Sequence, residues 1–584
     1  MPGRVLRRAV ASGLLCAALA TPLGAQQDTR PLGDQRLDAL ATQYFDALWK
    51  LDPIRATDAG VHDYDDKVGD YTAEGYAERI ALARRFRTQL AAIDPESFGA
   101  VGADDAQILA ARLDETLVKL QTRETWRHAP STYTSLAANA IYSLVARNFA
   151  PAKTRMRDVI VRERQLPALL AAGKANVTSV DAVTAEIARR NVAGTIDFFA
   201  TVIPLAVVPL ADASTRADFK AANDATLAAL RDYQQSLESG AFAHPSGSFA
   251  IGPRVFERML ALQELMPISL ATYERVGQDA LTRTKAEFVD TAKKIDPAKP
   301  PEEVAASLGA DHPVPDALLR TASDDIVKLR AFVVSHRILS LPGGVEDIKV
   351  VPTPEFARAT TFASLNAPGP LEKTATEAYY NITPPEDAWS AAQKEQHLAF
   401  FNTYSFPIVT LHEVMPGHYV NYALDRTERL SLIRRVFPSP SFSEGWAHYD
   451  EQMMVDEGWG NGDPHVRLAQ LQAALQRECR YLVGLREHTA GMSVDEATRF
   501  FEENAFMAEV TARREALRGT QDPLYGYYTL GKLEILKLRT DFQKKMGSKY
   551  SLELFHDELL AHGDPPIAIA RKTLLGADDD GHLL

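Results

Sequence analysis

The chain has 584 residues, of which 46% are apolar and 24% charged, and it carries a formal charge of −13 at pH 7. That excess of acid argues against nucleic acid as a partner, because phosphate binding needs a basic face. Its length and apolar content are ample for a large buried core, and its two cysteines are too few for a disulfide framework.

Residues 1–25 read as an export signal: Arg4, Arg7 and Arg8 precede an apolar run from Ala9 to Ala20, and small residues lead to Ala25. The run is shorter than the ~20 apolar residues a spanning helix needs. A soluble protein exported to the periplasm is therefore expected, with no transmembrane helix in the mature chain. Leu14-Leu15-Cys16 lacks the small residue that precedes a lipid-modified cysteine, and the residues after Arg7-Arg8 fit the twin-arginine route poorly. Removal of the signal leaves Cys479 as the one thiol, in a helical pattern that makes it a small buried hydrophobe.

From Arg36 to about Leu237 the apolar spacing is that of amphipathic helices. Leu37, Leu40, Ala41, Tyr44, Phe45 and Leu48 recur at i, i+3, i+4, and similar patterns cover 73–94, 103–127, 153–173 and 183–202, with breaks at Pro151, Pro204 and Pro245. Helices resume from Pro253 to Phe288. Residues 338–385 change character: Leu339-Ser-Leu-Pro-Gly-Gly, Ile348-Lys-Val-Val-Pro, Phe362 and Ala378-Tyr-Tyr-Asn-Ile-Thr predict short strands between turns. The expected architecture is mostly α, a large helical shell around a cleft with a small sheet beside the site. It is read as one domain over 26–584, with the shell at 26–337 and the sheet plus functional helices at 338–584. No repeat, phosphate-binding glycine loop or Gly-x-Ser-x-Gly elbow occurs.

Chemistry concentrates in Leu411-His412-Glu413-Val414-Met415-Pro416-Gly417-His418 and in Ser443-Glu444-Gly445-Trp446-Ala447-His448-Tyr449. Two imidazoles and a carboxylate are a donor set for a catalytic zinc, and a further carboxylate beside them can take a proton from water. His412, His418 and Glu444 fit the first role and Glu413 the second. The histidines are not at the i, i+4 spacing of the ordinary zinc-protease helix. On an unbroken helix they would point about 120° apart. Pro416 has no N–H to continue the helix and should stop or kink it, and Gly417 is expected to take left-handed backbone angles that swing His418 back.

These motifs resemble the signature of the bacterial DUF885 family, a mostly helical group compared with gluzincin-type zinc peptidases. Pro53-Ile54-Arg55-Ala56-Thr57 with Gly60, Tyr64 and Asp65, then Tyr379-Tyr380-Asn381, then Tyr528-Thr529-Leu530-Gly531 are similar to other family blocks, so the resemblance spans nearly the whole mature chain. It implies a hydrolase that cleaves short peptides, with Zn2+ on His412, His418 and Glu444 and Glu413 as general base. It also implies that Tyr528 and His488 are donors to a developing oxyanion. The chain departs from the family at Tyr419, where a second His is usual, and at His448, where Leu is commoner, so His448 is an alternative second imidazole. Two other readings of the residues stay open: a non-catalytic periplasmic binding or scaffold protein, and a zinc esterase or amidase.

Near the C-terminus, Ser493-Val-Asp-Glu496 forms a capping box in front of a helix expected to reach about Leu517. Leu530–Arg539 and Leu552–Leu560 are also periodic.

Overall fold

The structure, a computed structural model, describes residues 28–584 apart from 211, 240, 241, 243, 355–357, 359, 360, 427 and 428. The expected export signal at 1–25 lies outside these residues.

Helices dominate, as the periodicity predicts. The first, Leu32–Leu51, buries Leu37, Leu40, Ala41, Tyr44, Phe45 and Leu48 on one face. Helices Ala73–Ala91, Ala100–Leu117, Ala152–Glu163, Leu166–Asn176 and Ala182–Asp197 follow the remaining periodic stretches. The 103–127 stretch is not one helix: it passes through a π-helical turn, Val118–Thr122, before the short Thr125–His128 helix. Pro204 does not break the chain either: it is the second residue of helix Ile203–Val207, which runs on directly from a second π-helical turn, Phe198–Val202. Among the described residues no helix is long and apolar enough to cross a membrane.

The sheet is smaller than expected. Leu339-Ser-Leu-Pro-Gly-Gly forms no strand, and the three that form are β1 (Lys349–Pro352), β2 (Ala363–Asn366) and β3 (Tyr379–Ile382). Their order is β1-β3-β2, with β1 parallel and β2 antiparallel to β3. Central β3 is nearly all buried, and its Tyr380 hydroxyl lies 3.1 Å from Thr410 Oγ1. That bond ties the sheet to helix Ser405–Glu413, two residues before His412. The capping box at Ser493 and Glu496 is present, but its helix ends at Ala505. Phe506 takes a φ of 53° and stacks on Phe288 at 4.8 Å, and a second helix, Glu509–Gln521, starts afterwards.

Apolar side chains form four packed groups. One fills the N-terminal half between Ile54 and Phe242. A second joins the first four helices to Ile433, Phe437 and Ile569. The third joins residues 256–308 to 468–530, and the fourth joins 318–345, the sheet, 398–454 and 535–575. The second, third and fourth groups each hold residues from both sides of position 337. The His412 helix belongs to the fourth group and helix Pro464–Thr489 to the third, so the site lies on their boundary.

Candidate metal centre

Helix Ser405–Glu413 ends three residues before Pro416, with the Val414 N–H donating to Thr410 O. A second helix, His418–Asp425, starts at once. Between them Gly417 has φ −65° and ψ −136°, so the expected left-handed angles are not what it supplies. Glycine is needed for a different reason: a Cβ at Gly417 would lie 2.0 Å from His412 O and 2.6 Å from Leu411 O. The turn folds so tightly onto the end of the first helix that no side chain fits. Trp446 holds it there, donating from Nε1 to Pro416 O at 3.1 Å.

The result is the convergence that the spacing required. The His412 and His418 ring centroids stand 4.7 Å apart at 85°. Helix Pro440–Asp456 brings Glu444 to both, with Oε2 3.2 Å from His418 Nε2 and 3.6 Å from His412 Nε2. One donor atom from each of the three lies within 4.8 Å of the others. Three ligands placed about 2.0–2.1 Å from a tetrahedral zinc stand roughly 3.3 Å apart, so the two measured edges fit such an ion. Glu444 Oε2 is buried and makes no hydrogen bond of good geometry, which leaves it free to ligate.

A second layer fixes the first. His412 Nδ1 lies 2.7 Å from Glu451 Oε1, and since a carboxylate can only accept, Nδ1 carries a proton and Nε2 is the nitrogen turned to the cluster. A carboxylate behind a ligating imidazole orients it and raises its basicity. Glu451, 1% exposed, is itself anchored by Arg477 Nη2 at 2.9 Å and by His448 Nδ1 at 3.2 Å. Burial pushes the Glu451 carboxyl up, but Arg477 and the two histidines outweigh it and hold it well below the carboxylate range. Burial pushes His412 down, yet Glu444 and Glu451 raise it to about 9. The pocket thus favours positive charge between its carboxylates.

His448 is not one of the converging donors. Its ring is fully buried against Glu451, and burial beside Lys532 takes it down to about 3. Tyr419, the departure from the family pattern, donates to Gly344 O at 3.3 Å and packs in the core, so the histidine it replaces is not missed by this cluster. Glu413 faces the sheet: its Oε2 accepts the Leu365 N–H at 2.9 Å, on β2, an edge strand.

Tyr528 is 9% exposed and its hydroxyl accepts from Arg518 Nη2 at 3.4 Å. The guanidinium of Arg477 stands 5.7 Å from its ring centroid, which links it to the Glu451 layer. His488 is elsewhere. Its Nε2 lies 2.9 Å from Gly519 O and its ring meets Phe249 edge-on, while burial lowers it to about 4. It joins helix Pro464–Thr489 to its neighbours and takes no part in the cluster.

Two glycines explain the other motif blocks. A Cβ at Gly445 would meet Gly531 Cα at 2.6 Å, and one at Gly531 would meet Ser441 O at 1.7 Å. The Glu444 helix and helix Tyr527–Met546 therefore cross in backbone contact. That crossing sets the depth of Glu444 on one side and of Tyr528 on the other.

The fold and site together define a mostly helical protein with a half-buried His-His-carboxylate cluster that contains a carboxylate-supported imidazole. Residues 53–574 match the family described as "Bacterial protein of unknown function (DUF885)", and the chain belongs to that family. No curated protein matches it. Two solved structures share the fold with a TM-score of 0.79 each. One, a "putative lipoprotein of unknown function" from Shewanella oneidensis, is 24% identical and aligns over 92% of this chain and 99% of its own. The other, a "putative lipoprotein" from Colwellia psychrerythraea, is 18% identical, over 94% and 100%.

Proposed function

We propose that the protein is a zinc-dependent hydrolase acting on short peptides outside the cytoplasm. The observation that carries this reading is the convergence of His412 Nε2, His418 Nε2 and Glu444 Oε2, with Glu451 fixing the His412 tautomer. The donor set, its spacing and the orphaned Glu444 oxygen all suit zinc. A zinc ion held there would supply Lewis acidity, polarising a carbonyl and lowering the pKa of water to about 7.

The chain's own residues supply the rest. Glu413 directly follows a ligand and can accept a proton from the attacking water. As the hydroxyl adds to the carbonyl carbon and the C–N bond breaks, Glu413 returns that proton to the leaving nitrogen, giving a carboxylic acid and an amine. Arg518 donates to the Tyr528 oxygen, which leaves the phenolic proton free for the developing oxyanion. The β2 edge beside Glu413 suits an extended peptide backbone, which would compete for the Leu365 N–H.

Digestion of a mixed peptide library by the zinc-loaded protein, read by mass spectrometry, tests the reading. New termini are expected in short peptides and not in folded proteins, and they disappear with Glu413→Gln. Ester or non-peptide amide turnover without peptide cleavage would transfer the same residues to a different hydrolase class. Absence of all hydrolysis would make the fold a binding protein.

A further inference from the structure

The interior beside the metal centre holds more positive charge than its own ion pairs use. Three guanidiniums face the Tyr528 ring, with Arg480, Arg477 and Arg518 at 5.3, 5.7 and 5.9 Å from its centroid. Two of them are committed. Arg477 pairs with Glu451, and Arg480 donates to both oxygens of Glu515 at 2.7 and 2.9 Å. Among the described residues Arg518 has no carboxylate in ion-pair range, and its side chain donates only to the Tyr528 hydroxyl, at 3.4 Å.

Positive charge continues on the N-terminal half. Lys119, on the π-helical turn, and Arg123, just after it, have no ion-pair partner among the described residues, and Arg123 reaches only the Met259 sulfur at 3.9 Å. A half-buried acid, Asp522, lies in the field of both Arg123 and Arg518, and it accepts from the Tyr527 hydroxyl at 3.2 Å. In a chain with a net charge of −13, cations thus gather locally around Tyr528 and Asp522. A half-buried guanidinium with free N–H groups is the planar complement of a carboxylate.

We propose that Arg518 receives the free α-carboxylate of the substrate, so that peptides are trimmed from the C-terminal end. The inference rests on the peptidase reading above. Distance favours a short overhang. Arg518 lies one hydrogen bond beyond Tyr528, so a carboxylate on Arg518 would sit within roughly 9 Å of an oxyanion on Tyr528, from ~2.8–3.4 Å per hydrogen bond. At ~3.3–3.6 Å per extended residue that span holds one or two residues. The enzyme would accordingly release single amino acids or dipeptides.

Calorimetry separates this from the peptidase reading, because it needs no turnover. The ligands are one hexapeptide with a reduced, uncleavable bond near its C-terminus, made as the free acid, as the terminal amide, and as the amide with glutamate as its last residue. Zinc-loaded wild type should bind the free acid at least about 30-fold tighter than either amide, the scale of a charge-assisted pair. Arg518→Gln should bring all three within about threefold, and Arg518→Lys, which keeps the charge without the fork, should restore part of the preference. Melting curves check that both variants fold. Equal binding of acid and plain amide by wild type, or an acid preference that survives Arg518→Gln, overturns the proposal. Tight binding of the glutamate amide overturns the C-terminal assignment in favour of an acidic side chain. Cleavage of ordinary peptides is scored separately. Internal cuts with no acid preference would keep the peptidase and remove the trimming, and acid-selective binding without cleavage would keep the carboxylate site and remove the peptidase.

Discussion

Two histidines in this molecule sit among carboxylates, and they do opposite things. His62 bonds Asp65 through Nδ1 and Glu372 through Nε2, both at 2.9 Å, and stacks on Phe149 at 3.9 Å. Both nitrogens are spent, and the ring clamps the segment after the first helices to the stretch between β2 and β3. His412 also gives Nδ1 to a carboxylate, but its Nε2 points into a gap shared with another imidazole and another acid. The residue types are alike. What separates a clamp from a candidate metal ligand is whether the second nitrogen already has a hydrogen-bond partner of good geometry.

Removing ligands should break the comparison most strongly. His412→Ala and Glu444→Ala should lose zinc and activity together, whereas Glu413→Gln should keep about one equivalent by elemental analysis and lose activity by roughly 10²–10⁴-fold, the scale of positioned proton transfer. His62→Ala should keep both. Loss of zinc from Glu413→Gln would make Glu413 a ligand or a support and remove it as the base.

Much of this contrast was legible in the sequence, and the parts that were not have physical reasons. The Pro416-Gly417 break predicts that His418 swings back to His412, and the two rings do converge. The left-handed angles expected at Gly417 do not occur; its close approach to the carbonyls of residues 411 and 412 depends on how tightly the turn closes, which local propensity does not encode. Small strands were expected at 338–385, but pairing partners, not composition, decided that 339–344 stays irregular. Glu451 leaves a signal in the sequence: Glu444, His448 and Glu451 are spaced i, i+4, i+7, one face of a helix whose other residues are mainly apolar. Arg477, Arg480 and Arg518 gave no such hint, since arginines on amphipathic helices normally face water. His488 matched the family pattern but is held by Gly519 O, a partner 31 residues away that no local spacing shows.

A smaller change tests the second layer. Glu451→Gln keeps the shape of the acceptor but weakens the charge behind His412, and it leaves Arg477 without its counter-ion. Zinc affinity should fall by about 10–100-fold, the usual effect of altering a carboxylate behind a metal-bound histidine. Competition with a chromophoric chelator measures this, and unchanged affinity would reduce Glu451 to a packing element. The matching change at the clamp, Glu372→Gln, should leave zinc affinity as it was.

The smallest expected effect lies in the pH dependence of the clamp. Burial pushes His62 down, but its bonds to Asp65 and Glu372 outweigh burial and the net shift is upward. A group whose pKa is raised on folding contributes stability that is fully present below its unfolded value, near 6.5 for histidine, and that fades as pH rises through the folded value. His62→Gln should therefore cost about 1–2 kcal/mol at pH 6, as expected for partly buried charge-assisted bonds, and less than that at pH 8.5. The lost stability is read from urea denaturation at the two pH values, with zinc content as the control. Equal losses at both would mean that the imidazole is neutral in the folded protein and that the clamp is held by ordinary hydrogen bonds. A larger loss at pH 8.5 would reverse the sign and remove a raised imidazole as the source of the clamp's stability.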